Sequence, residues 1–171
     1  MNNRGEYIEF DGRPAVRFER TYPYPVERLW RAITEPEELA RWFPSHVTID
    51  VRPGGTVEFS GDPNAAPTTG TVLVADAPHR LVYTWGGDEL HFELTSTPDG
   101  TTLVFVDILE ERDTAARTAT GWTVCLTAFD SALAGEPVDG PHSAGAMRRG
   151  RLVYEAYLAA GMPSGAAVPE D

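Results

Sequence analysis

Apolar and polar residues alternate through the middle of the chain. Between residues 46 and 110 short runs with a period of two are separated by turns rich in glycine and proline, such as residues 52–55 and 76–78. A period of two places every second side chain on the same face of a strand. The pattern therefore predicts a six-strand antiparallel meander with one buried face.

Other predicted elements lie on either side of this meander in the sequence. Residues 7–22 predict one opening strand, or two, around an Asp-Gly turn. Val26, Leu29 and Ile33 then share one helical face, and Pro36 suits the first turn of a second short helix. A long helix is predicted from Asp113 or Thr114 to Gly135.

The long helix has a broad apolar stripe with no catalytic residue on it. The stripe consists of Trp122, Cys125, Leu126, Phe129, Ala132 and Leu133. The order of elements predicts an α+β fold in which a curved sheet buries its inner face against this helix, with a cavity between them. We expect one domain over residues 1–137, an additional C-terminal helix within 138–161 packed on that domain, and a disordered tail at 162–171.

Charge and composition exclude several classes of function. The formal net charge is -12, which disfavours phosphate backbones and anionic lipid surfaces. The one cysteine excludes an intramolecular disulfide, and the four scattered histidines lack metal-ligand spacing. No signal-peptide core or long apolar run is present. We expect a cytoplasmic protein with no metal, cofactor, nucleic-acid partner or membrane insertion.

Five motifs occur in a familiar order and spacing. They are PYPVERLWRAITEPEELARWF, RPGG, HRLVYTW, a strand beginning Gly-Thr-Thr-Leu, and GWTVCLTAF. Over residues 14–135 the chain resembles the activators of the heat-shock-protein-ninety ATPase, within the START-like helix-grip superfamily. The resemblance implies a seven-stranded antiparallel sheet gripping a long C-terminal helix, two short helices after the first strand, and a pocket for apolar molecules between sheet and helix.

The sequence also departs from the pattern of this family. Asp107 stands on the last strand where many relatives place a histidine, and its parity with Leu103 and Phe105 points it to the inner face. We expect it to anchor a ligand or act as a general acid or base. The alternative is a carboxylate at the cavity mouth, solvated or paired with Arg112 or Arg117.

Aromatic residues on the inner faces are the other candidates for a binding site. Most would be ordinary core, and a subset would line the pocket. With Asp107, the candidate ligand-binding residues are Trp30, Phe43, Phe59, Tyr83, Trp85, Phe92, Phe105, Trp122, Leu126 and Phe129.

These features favour a non-catalytic protein that binds a small hydrophobic or amphipathic molecule. One alternative is a polyketide cyclase, dehydratase or hydrolase that uses the same cavity with Asp107 as base. Another is a chaperone-interaction module. The basic cluster Arg148, Arg149 and Arg151 is interpreted as a solvated helix face, with a homodimer contact as the alternative.

Overall fold

In the part of the chain that the structure describes, the fold consists of one antiparallel sheet and four α-helices. The computed structural model describes residues 4–63 and 65–165. In chain order the elements are β1 Glu6–Phe10, β2 Arg13–Tyr22, α1 Val26–Thr34, α2 Pro36–Leu39, β3 His46–Ile49, β4 Thr56–Ser60, β5 Thr68–Asp76, β6 Arg80–Trp85, β7 Asp88–Thr97, β8 Gly100–Ile108, α3 Ala115–Leu133 and α4 Ala144–Ala159.

The sheet has eight strands in the order β1-β2-β8-β7-β6-β5-β4-β3. The α+β helix-grip architecture is confirmed, but the expected number of seven strands is wrong. The extra strand arises because Asp11 and Gly12 both have positive φ angles, 49° and 77°. Two such residues form the tight turn whose twist suits a two-residue hairpin. The opening segment therefore folds back on itself as β1 and β2.

Helix α3 crosses the concave face of the sheet. All six residues of its apolar stripe are buried, as the helical spacing predicted. The helix begins at Ala115, one or two residues later than expected, after a short 3-10 turn at Arg112–Thr114. At its end Gly135 has φ of 72°, and the N–H of Glu136 donates to the carbonyl of Ser131 at 2.9 Å. This is the Schellman arrangement, in which a left-handed glycine closes a helix.

Helix α4 packs along α3 through Tyr157. This residue is 2% exposed, and its hydroxyl contacts the N–H of Gly5 at 2.8 Å and Thr123 Oγ1 at 2.7 Å. Helical spacing predicts an apolar stripe on this helix made of Leu152, Val153, Ala156, Tyr157 and Ala160. Leu152 is 70% exposed, so its assignment to a buried stripe is wrong. Helical spacing alone does not determine which side of α4 faces the rest of the domain. In the structure the side that carries Tyr157 is buried, and the Tyr157 hydroxyl makes these two hydrogen bonds.

The start of the expected disordered tail is packed on the domain. Met162 contacts the core, and the carbonyl of Pro163 accepts a hydrogen bond of 2.9 Å from Ala116. Residues 166–171, the rest of that tail, lie outside the described residues. Within residues 4–63 and 65–165, no helix has the length and apolar character needed to cross a membrane.

Candidate functional site

Asp107 lies on the concave face of the sheet. It pairs with Val16 of β2 on one side and with Leu90 of β7 on the other, and Leu90 pairs in turn with Tyr83 of β6. Directly paired residues of an antiparallel sheet project to the same face. The side chains of Asp107 and Tyr83 therefore face the same interior, two strands apart.

The Asp107 carboxyl is buried between the sheet and α3. Its residue is 1% exposed, and the indole Nε1 of Trp122 donates a hydrogen bond of 2.8 Å to Oδ2. The other oxygen, Oδ1, has no hydrogen-bond donor within reach among the described residues. Asp107 therefore lies in the interior, in contact with Trp122, whereas Arg112 pairs with Asp113 at 3.5 Å.

A second carboxyl, Asp88, lies next to Asp107. Burial, this contact and the negative charge of Asp88 together raise the pKa of Asp107 well above its usual range, and the Trp122 hydrogen bond offsets this only in part. Asp88 Oδ1 also accepts the backbone N–H of Glu110 at 3.0 Å. The protonated form of Asp107 is therefore favoured, because burial and a neighbouring negative charge both disfavour the ionised carboxylate.

Asp88 is not among the residues that the sequence predicts for the site, because Gly86, Gly87 and Asp88 together have the composition of a turn. A signal was available in the parity of this residue with Leu90 and Phe92, both of which are buried. The two-residue hairpin closes at the pair Trp85 and Asp88, so Asp88 begins β7 on the inner face.

Tyr83 adds a third polar group to this interior. Its side chain is fully buried, and its hydroxyl has no hydrogen-bond partner among the described residues. Burial raises its pKa above the usual range, and the charge of Asp107 raises it further. An unpaired polar group inside a protein costs about 1–3 kcal/mol, so two such groups in one interior call for a physical explanation.

Four aromatic side chains enclose the space beside the carboxyl pair, and we call them the aromatic box. They are Phe43, Phe59, Trp85 and Trp122. Ring centroids are 5.2 Å apart for Phe43 and Trp85, 5.4 Å for Phe43 and Trp122, and 5.7 Å for Trp85 and Trp122. Phe59 stacks on Trp85 at 5.7 Å. These four rings contact one another between the sheet and α3.

The other aromatic candidates occupy different positions around this box. Phe105 contacts Trp122 with centroids 4.8 Å apart, and Phe92 contacts Phe105 at the same distance. Phe129 lies farther along α3 against Trp42. Trp30 is partly exposed on α1 and packs at the margin of the core. The structure therefore brings most of the predicted residues together but leaves Trp30 and Phe129 away from the box.

A small recess opens at the surface beside the box. It has a volume of about 20 Å³ and is lined by Ser45, Phe59, Ser60, Asp62, Ala65, Ala66, Thr68 and Trp85. Phe59 and Trp85 belong to both the recess and the box, so the recess adjoins the box. Trp85 is only partly buried, whereas Phe59 is 3% exposed.

The segment after α3 reaches this recess through His142. Its Nε2 lies 2.7 Å from the carbonyl of Pro44 and 3.9 Å from Asp62 Oδ1.

Burial raises the pKa of the Cys125 thiol to about 12, so the thiol stays protonated at neutral pH. In the part of the chain that the structure describes, no three His, Cys, Asp or Glu side chains are grouped to hold a metal ion.

A separate polar cluster ties the far end of α3 to β2. Arg20, which is 5% exposed, donates to Asp130 Oδ2 at 3.0 Å, and the Tyr22 hydroxyl donates to Asp130 Oδ1 at 2.6 Å. Burial raises the pKa of Asp130, partly offset by these two contacts. Asp130 lies outside the apolar stripe of α3, and its strand partners do not follow from helical spacing because they lie far away in the sequence.

Tyr22→Phe is expected to lower the free energy of unfolding by about 1–3 kcal/mol, because it removes a short hydrogen bond to a carboxylate. Chemical denaturation of both proteins measures the change. Tyr24→Phe is the matched control, since no side-chain hydrogen bond of Tyr24 is found among the described residues. Equal effects of the two variants would show that the Tyr22–Asp130 bond contributes nothing.

Comparisons with known proteins agree with this architecture. The sequence profile of the activator of Hsp90 ATPase homolog 1-like protein family matches residues 23–134. The crystal structure of CalU16 from Micromonospora echinospora is 25% identical with a TM-score of 0.69, covering 91% of this chain and 96% of that protein. The BPP1335 protein from Bordetella parapertussis is 26% identical with a TM-score of 0.66, covering 88% and 89%.

A third structure supports the fold alone. EF2215 from Enterococcus faecalis, described as a conserved protein of unknown function, is 22% identical with a TM-score of 0.72, covering 91% of this chain and 89% of that protein. No curated protein sequence matches the chain at a significant level.

Proposed function

The chain belongs to the activator of Hsp90 ATPase homolog 1-like family, and from this premise we propose that it binds a small, largely apolar molecule between the sheet and α3. The ligand occupies the aromatic box and directs a polar group at Asp107 and Tyr83. This combination of apolar walls and a few convergent polar groups is the usual composition of a small-molecule site.

The observation that carries the proposal is the pair of unsatisfied polar atoms, Asp107 Oδ1 and the Tyr83 hydroxyl, inside the protein. More than nine in ten buried polar groups of native proteins have a hydrogen-bond partner. A polar group of a ligand between these two atoms would satisfy both. Ordinary core packing gives no reason to place a carboxyl and a hydroxyl there.

Trp85 is the side chain that a ligand must displace. It is the partly exposed member of the box and lines the surface recess. Moving it breaks contacts with Phe43, Phe59 and Trp122, whereas the other three rings keep their positions on α3, β4 and the segment after α2. The aromatic box therefore acts as a closed form of the site with one movable wall.

Fluorescence titration with N-phenylnaphthylamine, a neutral apolar probe, tests this function. The protein is expected to bind one probe saturably. Because Trp85→Ala removes three ring contacts that the probe must otherwise break, it is expected to bind at least about tenfold more tightly. Trp30→Ala, a partly exposed tryptophan outside the box, is the matched control and should leave the affinity unchanged.

Two results would contradict this function. One is the absence of saturable binding to the wild-type protein. The other is an equal change in affinity for Trp85→Ala and Trp30→Ala, which would place the probe elsewhere. Native mass spectrometry of the purified protein then identifies any small molecule that co-purifies with it.

An acid–base enzyme acting on an aromatic or polyketide-like substrate is the second candidate. It is favoured by the raised pKa of Asp107, since burial and Asp88 keep this carboxyl protonated beside the box. A neutral carboxylic acid in an apolar site is able to donate a proton to a bound substrate. Conversion of the co-purifying molecule by the wild-type protein but not by Asp107→Asn would distinguish the enzyme from the binding protein.

A further inference from the structure

Among the described residues, no basic side chain contributes to the pKa shift of Asp107. The groups that act on Asp107 are its burial, Asp88 and Trp122. The described donors to the carboxyl pair Asp88 and Asp107 are the Trp122 indole and the Glu110 backbone N–H. Two carboxyl groups have about eight acceptor positions, so the pair has far more acceptors than donors.

The aromatic box places ring faces next to this excess of acceptors. Trp122 links the two features, since its N–H donates to Asp107 while its ring contacts Phe43 and Trp85. The face of an aromatic ring has negative potential and attracts cations, and tryptophan does so most strongly. Both the walls and the polar end of the site therefore favour positive charge.

The surface recess beside the aromatic box also favours positively charged ligands. Asp62 lines the recess above the box, and its side chain is 14% exposed. The whole chain has a formal net charge of -12. A potential of one sign along the approach to a cleft raises the local concentration of oppositely charged ligands.

We propose that the ligand of this site is a protonated amine with an aromatic or similarly apolar body. The inference rests on the proposed function and specifies its ligand class. The ammonium group lies in the aromatic box and donates hydrogen bonds to Asp107 Oδ1 and to the Tyr83 hydroxyl oxygen, while the apolar body takes the place of Trp85. An ammonium has three N–H donors, which matches the two unsatisfied acceptors and leaves one for Asp88.

The proposal also predicts that amine binding releases a proton. Before binding, burial and the neighbouring Asp88 raise the pKa of Asp107 and keep its carboxyl protonated. The ammonium replaces that proton, which is released to solvent, and no covalent bond is formed. Tyr83, which also faces Asp107, keeps its proton throughout because burial raises its pKa. Amine binding is therefore expected to strengthen as the pH rises, as long as the amine itself stays protonated.

The test compares three probes of similar size by isothermal titration calorimetry: phenethylamine, phenethyl alcohol and hydrocinnamate. Phenethylamine is expected to bind the wild-type protein at least about tenfold more tightly than the neutral alcohol, and the anionic hydrocinnamate more weakly than both. Between about pH 6 and about pH 8 the affinity for the amine should rise, with release of a proton detected by changing the buffer.

Asp107→Asn tests the assigned residue. It is expected to reduce the affinity for phenethylamine at least about tenfold and to leave that for the alcohol nearly unchanged. Asp99→Asn is the control, because Asp99 is an exposed carboxylate in the turn at the opposite end of the β7–β8 hairpin. If Asp107→Asn does not fold, the three probes and the pH series on the wild-type protein still decide the question.

The outcomes separate this inference from the proposed function. Equal binding of amine and alcohol, or amine binding that does not change with pH, overturns the amine assignment while N-phenylnaphthylamine binding is retained. Failure of all probes, N-phenylnaphthylamine included, overturns the binding function as well.

Discussion

Leu126→Ala is expected to lower the free energy of unfolding by about 2–5 kcal/mol, the range for deleting a buried leucine side chain. Leu126 is 1% exposed and lies on the face of α3 that the sheet grips. Truncation removes its apolar contacts and leaves a cavity that the rings of Trp122 and Phe129, each a neighbour along the same stripe, close only in part. Urea or guanidinium denaturation followed by far-ultraviolet circular dichroism measures the change.

Leu152→Ala is the matched control for the same chemical change. Leu152 also lies on a helix, but it is 70% exposed. Its truncation is therefore expected to change the stability by no more than about 0.5 kcal/mol. A large loss of stability for Leu152→Ala would mean that its surface is covered, for example by a second copy of the chain. Similar losses for both variants would contradict the rotation of α4 that the structure shows.

The stability of the protein is expected to fall with rising pH relative to that of Asp107→Asn. The folded state holds the pKa of Asp107 well above its value in the unfolded chain, because of burial and the contact with Asp88. The contribution of this carboxyl is fully present below the unfolded pKa of about 4. It is lost as the pH rises toward the raised folded pKa, by up to about 1.4 kcal/mol per pH unit.

Denaturation of both proteins at several pH values between about 5 and about 8 checks this prediction. The comparison isolates Asp107, since Asp130, whose pKa burial also raises, is present in both proteins. The side-chain amide introduced by Asp107→Asn would keep an acceptor for the Trp122 indole and gain donors for Asp88. Asp99→Asn controls for the loss of one carboxylate. A difference in stability between wild type and Asp107→Asn that stays constant with pH would show that Asp107 is ionised in the folded protein.

For the carboxyl pair, the sequence predicts the position of Asp107 but not its partners. Strand parity placed Asp107 on the inner face, because alternation along one strand is a local property of the backbone. Its two partners were not deduced. Asp88 follows two glycines and has the sequence context of a turn residue. The contact of Asp107 with Trp122 depends on the position of α3 along the sheet, which no pattern within either element specifies.

For the aromatic residues too, the sequence predicts which face of an element a side chain occupies but not its contacts with other elements. Their inward direction follows from periodicity, so Phe59, Tyr83 and Trp122 were correctly placed in the interior. Periodicity does not say whether side chains from opposite walls leave a space or meet. Here they meet, since Phe43 from the segment after α2 packs between Trp85 and Trp122.

Motif order and the periods of two and 3.6 residues were enough to establish the family, the α+β class and the buried faces of the strands and of α3. The eighth strand, the rotation of α4, the closure of the aromatic box and the pairing of Asp88 with Asp107 became visible only in the folded chain. These features depend on strand register and helix docking between residues far apart in the sequence. Such contacts are set by the joint packing of all elements, and a local pattern does not specify them.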